Sequence, residues 1–109
     1  MLNKYIQVYI PGTRDGSIPL TQDEILKVNT WAAKKLSSNF GGCTAQAGIG
    51  SWQDDDGILI TENVTLIKAY HDRDPQAAWN IGVRIAQVLK RALRQYAVTL
   101  ESQDGIDFI

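Results

Sequence analysis

Apolar and polar residues alternate with a period of two near the start of the chain. Over residues 2–10 the apolar set and the polar or aromatic set fall on opposite faces: Leu2, Ile6, Val8 and Ile10 against Asn3, Tyr5, Gln7 and Tyr9. This period predicts a β-strand with one face toward a core. The alternation returns over residues 97–102. Residues 58–70 are rich in β-branched and aromatic side chains and predict a further strand, with a bulge near Glu62 and Asn63 where the alternation breaks.

Two other segments repeat their apolar residues at helical spacing. Residues 22–37 predict an amphipathic helix that begins with the capping box Thr21–Glu24. The second helix begins at Asp74-Pro75, with Asp at the N-cap and Pro in the first turn, and its apolar stripe extends to Tyr96. The pattern therefore predicts two helices that each bury one face.

The uncharged, glycine-rich stretch 40–52, FGGCTAQAGIGSW, lies between the first helix and the strand 58–70. It lacks the third glycine and the following helix of a dinucleotide fingerprint, so we interpret it as a strand joined to 58–70 by the turn 54–57. The order β-α-β-β-α-β predicts a ferredoxin-like α+β sandwich, with two helices on one face of an antiparallel sheet. Residues 106–109 predict a possible extra C-terminal strand.

Composition and charge restrict the class of protein. A chain of 109 residues with 44% hydrophobic and 21% charged residues predicts one globular domain, 1–109. The net charge of −1 argues against a nucleic-acid partner. One cysteine, Cys43, excludes an internal disulfide, and no apolar run approaches the ~20 residues of a membrane span. We therefore expect a cytoplasmic protein with no membrane partner.

The face of the sheet away from the helices carries the candidate chemistry. Alternation places these residues on that open face: Tyr5, Gln7 and Tyr9; Phe40, Thr44, Gln46 and Trp52; Thr99 and Glu101. Three uses remain open, namely a homo-oligomer interface, a small-ligand pocket in which glycines admit the ligand to the backbone, and, least favoured, RNA. The first two are compatible, because pockets often form between subunits.

Other candidate motifs have simpler structural explanations. The run Asp54–Asp56 before Gly57 is typical of a solvated turn, and we predict neither a metal site nor a cofactor. His71 is the only histidine and is expected on the surface of a loop. Glu62 falls in mid-strand, where carboxylates are depleted, and so needs a partner or a role. Arg14 lies in a polar loop from which a guanidinium can bind an anionic group.

The motifs FGGCT, GIGSW and GILITENVT, within residues 40–65, resemble a group of small uncharacterised phage and bacterial proteins. The resemblance implies a ferredoxin-like fold and carries no activity, but it singles out Phe40, Gly41, Gly42, Thr44, Gly48, Gly50, Trp52 and Glu62. Some phage proteins of this size sequester host nucleotide signals. That analogy rests on association, since fold alone does not imply function.

These observations favour a non-enzymatic oligomer that binds a small anionic or nucleotide-like ligand. The predicted site contains Tyr5, Tyr9, Arg14, Thr44, Gln46, Trp52 and Glu62. One alternative is an enzyme of the dimeric α+β-barrel type with His71 or Glu62 as its base. The other is an interaction module whose open face meets another chain.

Overall fold

A computed structural model describes all 109 residues as nine elements. They are β1 (Lys4–Pro11), β2 (Thr13–Arg14), β3 (Ile18–Pro19), α1 (Gln22–Phe40), β4 (Thr44–Gln53), β5 (Leu59–His71), α2 (Pro75–Leu93), β6 (Thr99–Ser102) and β7 (Gly105–Phe108). The main sheet has the strand order β4-β5-β1-β6-β7, and every neighbouring pair is antiparallel. The predicted ferredoxin-like α+β fold and the extra C-terminal strand are confirmed.

The helices begin where the sequence predicts but end differently. Thr21 and Glu24 form the reciprocal capping box, and the Asp74 side chain accepts from the amide of Ala77. The first helix continues to Phe40, three residues beyond the prediction, because Gly41 at φ 90° supplies the left-handed cap. Phe40 therefore leaves the predicted strand, and its ring lies 5.1 Å from that of His71. The second helix ends at Leu93, before Tyr96.

The core lies between the helices and the central strands of the sheet. Ile6, Val8 and Ile10 of β1 and Leu100 of β6 are fully buried, together with the inner stripe of α2. A side chain in place of Gly82 would meet the side chains of Ile6 and Leu100 at 3.1 Å, so α2 packs very closely on the sheet. This packing fixes one face of β1 and β6 in the core and leaves the other open.

The β4–β5 hairpin extends past the helices. Its register is continuous from Thr44 opposite Lys68 to Gln53 opposite Leu59, so the bulge predicted at Glu62 and Asn63 is absent. Ile49 is 74% exposed, so no helix covers that part of the strand. The hairpin is therefore an arm with two accessible faces.

The segment predicted as a polar loop after β1 forms a small hairpin, β2–β3. Arg14 pairs with Glu24 at the start of α1, and the amide of Asp15 donates to the carbonyl of Leu93 at the end of α2. The hairpin thus joins one end of each helix. Neither helix combines the length and the apolar character that a membrane crossing would require.

Candidate functional site

A groove of about 710 Å³ crosses the open face of the sheet. Its floor is formed by β4 and β5, and its far wall by the start of β6 and by β7. The polar and aromatic residues that line it are Tyr9, Gln46, Ser51, Trp52, Glu62, Gln95, Thr99 and Phe108. The volume falls within the range of small-molecule sites, and Gly48 and Gly50 have no side chains that would fill the groove.

Glu62 is the only charged residue in the groove, whose other lining residues are apolar or neutral. The hydroxyl of Thr13 donates to Glu62 Oε2 at 2.8 Å, and Oε1 has no hydrogen-bond partner within the chain. One carboxylate without any lysine or arginine gives the groove a negative potential. Its charge therefore suits a cationic ligand better than the anionic one expected from the sequence.

Trp52 supplies the largest aromatic surface of the groove. It lies near the end of β4, opposite Ile60, and remains 44% exposed. Gln46 lies on the same face six register pairs away, opposite Leu66. An indole face can stack on a planar base or attract a cation, and an amide can donate to or accept from a heterocycle. The groove thus offers contacts for both parts of a cationic nucleoside.

A hydrogen-bonded group adjoins the groove at Tyr9 and spans three strands. Tyr9 donates to Glu101 Oε1 at 2.5 Å, Tyr5 donates to Glu101 Oε2, and Gln7 Nε2 donates to Oε1 at 3.3 Å. The ammonium of Lys68 lies 4.2 Å from the centre of the Tyr5 ring. We call these five residues the Glu101 cluster.

The Glu101 cluster holds its carboxylate charged. Burial by itself raises the pKa of Glu101, but the hydrogen bonds from Tyr5, Tyr9 and Gln7 and the charge of Lys68 outweigh it, so the pKa lies below its ordinary value. The hydrogen bond to Glu101, burial and the carboxylate charge raise the pKa of Tyr5 to about 12. With both oxygens occupied by donors, Glu101 is a poor proton acceptor and serves to cross-link β6 and β1.

The predicted site residues divide into three groups. Tyr9, Gln46, Trp52 and Glu62 meet in the groove. Tyr5 and Thr44 lie on the same face outside it, Tyr5 bonded to Glu101 and Thr44 opposite Lys68. Arg14 lies apart from both, because its guanidinium is paired with Glu24 of the capping box.

Two residues beside the groove were not predicted from the sequence, and His71 does not lie where it was expected. Gln95 and Thr13 are polar residues outside any periodic pattern, so no signal marked them. His71 was expected on the surface but is 4% exposed, under Phe40 on the helix side of the sheet. Its Nδ1 accepts from the amide of Arg73, and its Nε2 has no partner. His71 does not line the groove.

Comparison with solved structures gives two matches over nearly the whole chain. A phage SAM lyase in complex with S-methyl-5'-thioadenosine superposes with a TM-score of 0.72 at 15% identity, covering 100% of this chain and 92% of that one. A phage SAM lyase in the apo state gives 0.67 at 15% identity, covering 99% and 87%. No protein-family model and no curated protein matches the sequence. At this identity the likeness establishes a shared fold.

This finding corrects the functional prediction from the sequence. The chain was expected to be a non-enzymatic binding protein that sequesters a nucleotide-like signal, whereas the solved structures that share its fold from end to end are those of an enzyme. The enzyme alternative is the better supported interpretation. The expectation of a small nucleoside-like ligand agrees with the thioadenosine bound by the neighbour.

Proposed function

We propose that this chain is a lyase that cleaves a carbon–sulfur bond of S-adenosylmethionine (SAM) or of a close adenosyl sulfonium. The observation that carries the proposal is the groove, which combines one carboxylate, an accessible indole and no basic residue. The end-to-end likeness to a phage SAM lyase with S-methyl-5'-thioadenosine supports the same ligand class. SAM carries an ammonium that can pair with the carboxylate and an adenine that can stack on the indole. Its sulfonium is a second positive charge, which the absence of basic residues accommodates.

The reaction consumes neither water nor an oxidant. The bond between the sulfonium sulfur and Cγ of the amino-acid chain breaks, its electron pair moves to sulfur, and neutral S-methyl-5'-thioadenosine leaves. The four-carbon fragment is completed in one of two balanced ways. Either its own carboxylate oxygen closes on Cγ to form a lactone, or a base from the solvent takes a proton from Cβ and a double bond forms between Cβ and Cγ. Both routes convert a cation into a neutral thioether, which a dry, aromatic groove stabilises.

Glu62 binds the substrate ammonium in this proposal. The ammonium keeps its charge throughout the reaction, whereas the sulfonium loses its charge, so a carboxylate beside the sulfur would stabilise the starting state more than the transition state. A carboxylate on the ammonium instead orients the amino-acid chain relative to Cγ. Trp52 stacks on the adenine.

A second copy of the chain completes the site. The groove is open to solvent, and two aromatic side chains that line it, Trp52 and Phe108, are exposed at 44% and 71%. A partner seated on the open face would cover these side chains and exclude water from the reacting bond. The proposed enzyme is therefore a homo-oligomer, and its substrate and the phage origin of both neighbours favour a phage protein of the cytoplasm.

The test is to incubate the purified protein with SAM and to follow S-methyl-5'-thioadenosine and the four-carbon product by liquid chromatography with mass spectrometry. We expect the thioadenosine with either a lactone or a vinyl amino acid as the first product. SAM deuterated at Cβ separates the two routes, because only elimination releases deuterium. Absence of both binding and cleavage would overturn the proposal, as would homoserine formed directly with oxygen from labelled water at Cγ.

A further inference from the structure

The carboxylate of Glu62 is oriented by a segment that is remote in sequence. Thr13 is 7% exposed, and its hydroxyl donates to Glu62 Oε2 at 2.8 Å. The bond leaves Oε1 as the only oxygen of this carboxylate without a partner in the chain. A carboxylate fixed through one oxygen presents the other in a defined direction.

The backbone around Thr13 is itself held in place. A side chain on Gly12 would come within 2.3 Å of the carbonyl oxygen of Asn63, so this segment runs in direct contact with β5 beside Glu62. The amide of Leu20 donates to the carbonyl of Gly12 at 2.9 Å. The position of Thr13 relative to Glu62 is therefore set by backbone packing as well as by its own hydrogen bond.

Gln95 adds a second anchor from the opposite wall of the groove. Its Nε2 donates to the carbonyl of Thr13 at 2.8 Å and to that of Leu93 at 3.2 Å, while the residue itself lines the groove. A chain of contacts thus runs from Gln95 through Thr13 to Glu62. Thr13 is β-branched, which restricts rotation about its Cα–Cβ bond and so limits the positions of Oγ1.

We propose that Thr13 is a positioning residue for the groove, holding Glu62 Oε2 so that Oε1 meets the cationic group of the substrate. The proposal rests on the proposed function, in which Glu62 binds the ammonium of an adenosyl sulfonium. Without the hydroxyl, Glu62 would sample several rotamers, and the substrate would lose a preorganised contact. Loss of this contact weakens substrate binding, so KM rises more than kcat falls.

The test compares Thr13→Val, which keeps the shape and removes the hydroxyl, with Thr13→Ser, which keeps the hydroxyl. We expect Thr13→Val to lower kcat/KM for SAM about tenfold to a hundredfold, mainly through KM, and Thr13→Ser to stay close to the parent protein. In a Glu62→Gln background, Thr13→Val should add less than about threefold. The positioning role would be overturned if Thr13→Val lowered kcat/KM equally in the parent and Glu62→Gln proteins. It would also be overturned if Thr13→Ser lost as much activity as Thr13→Val.

A measurement without substrate keeps this inference separate from the proposed function. In protein labelled with ¹³C at glutamate, the side-chain couplings of Glu62 report its rotamer distribution. We expect couplings of a single Glu62 rotamer in the parent protein and in Thr13→Ser. In Thr13→Val we expect couplings averaged over several Glu62 rotamers. If the parent protein does not cleave SAM, the proposed function fails. Unchanged couplings in Thr13→Val would overturn the proposal that the hydroxyl orients Glu62.

Discussion

Replacing Glu62 with glutamine is the most direct test of the charge argument. The substitution keeps the shape of the side chain and its capacity to accept from Thr13, and removes only the negative charge. Because Glu62 is the only charged residue lining the groove, no other side chain there can replace it. The perturbation therefore isolates the electrostatic contribution to substrate binding.

The expected magnitude follows from the geometry of a half-buried ion pair. Two unit charges about 4 Å apart attract by about 4 kcal/mol at an effective dielectric constant of about 20. Desolvation of both groups offsets part of this, and hydrogen bonds to charged groups contribute about 1.5–3 kcal/mol net. We therefore expect Glu62→Gln to lower kcat/KM for SAM by about tenfold to a hundred-and-fiftyfold, mainly through KM.

The assay measures initial rates with SAM and, by calorimetry, the dissociation constant of S-methyl-5'-thioadenosine. The thioadenosine has neither the sulfonium nor the ammonium, so its affinity should change by less than about twofold in Glu62→Gln. Asp55→Asn, in the exposed turn at the tip of the β4–β5 arm, removes the same charge from a residue that does not line the groove and serves as the control. Equal losses for SAM and the thioadenosine, or an unchanged rate with SAM, would refute the reasoning.

Three further predictions address the indole, the Glu101 cluster and the buried histidine. Trp52→Ala should weaken the binding of S-methyl-5'-thioadenosine by about 1–3 kcal/mol in calorimetry, whereas Trp79→Phe, outside the groove, should not; equal losses would exclude stacking. In an alkaline titration followed by tyrosinate absorbance, Tyr5→Phe should remove a group that titrates late, because the hydrogen bond to Glu101 raises the pKa of Tyr5 to about 12. An unchanged late phase would contradict this assignment. The stability that this bond contributes is present below pH 10 and is lost as the pH rises toward 12. Burial first, and then the charge of Lys4, lower the pKa of His71. The contribution of neutral His71 to the free energy of unfolding in urea should therefore be present above about pH 6.5 and fall as the pH drops below that value. If the free energy of unfolding depends on pH in the same way in His71→Gln, the loss belongs to other groups.

Local signals in the sequence determined the elements and their order. The capping box at Thr21, the Asp74-Pro75 start and the alternation over 2–10 depend on neighbours only a few residues apart, so each could be recognised from the sequence and each is present in the structure. Alternation within the predicted strands also assigned Tyr9, Gln46 and Trp52 to one face, and all three line the groove. Glu62 stood out only as a carboxylate in mid-strand, where the expected bulge is absent.

Tertiary packing decided what those residues do. The bond from Thr13 to Glu62, the anchor from Gln95 to Thr13 and the three-strand Glu101 cluster join residues 49 to 96 positions apart, and no local pattern carries such contacts. Pairing with Glu24 removed Arg14 from the expected anion site, and burial under Phe40 removed His71 from the surface. Alternation assigns a side chain to a face, but only the packed sheet shows which charges remain unneutralised on it. The charge of the groove, on which the proposed cationic substrate depends, was therefore fixed by the fold.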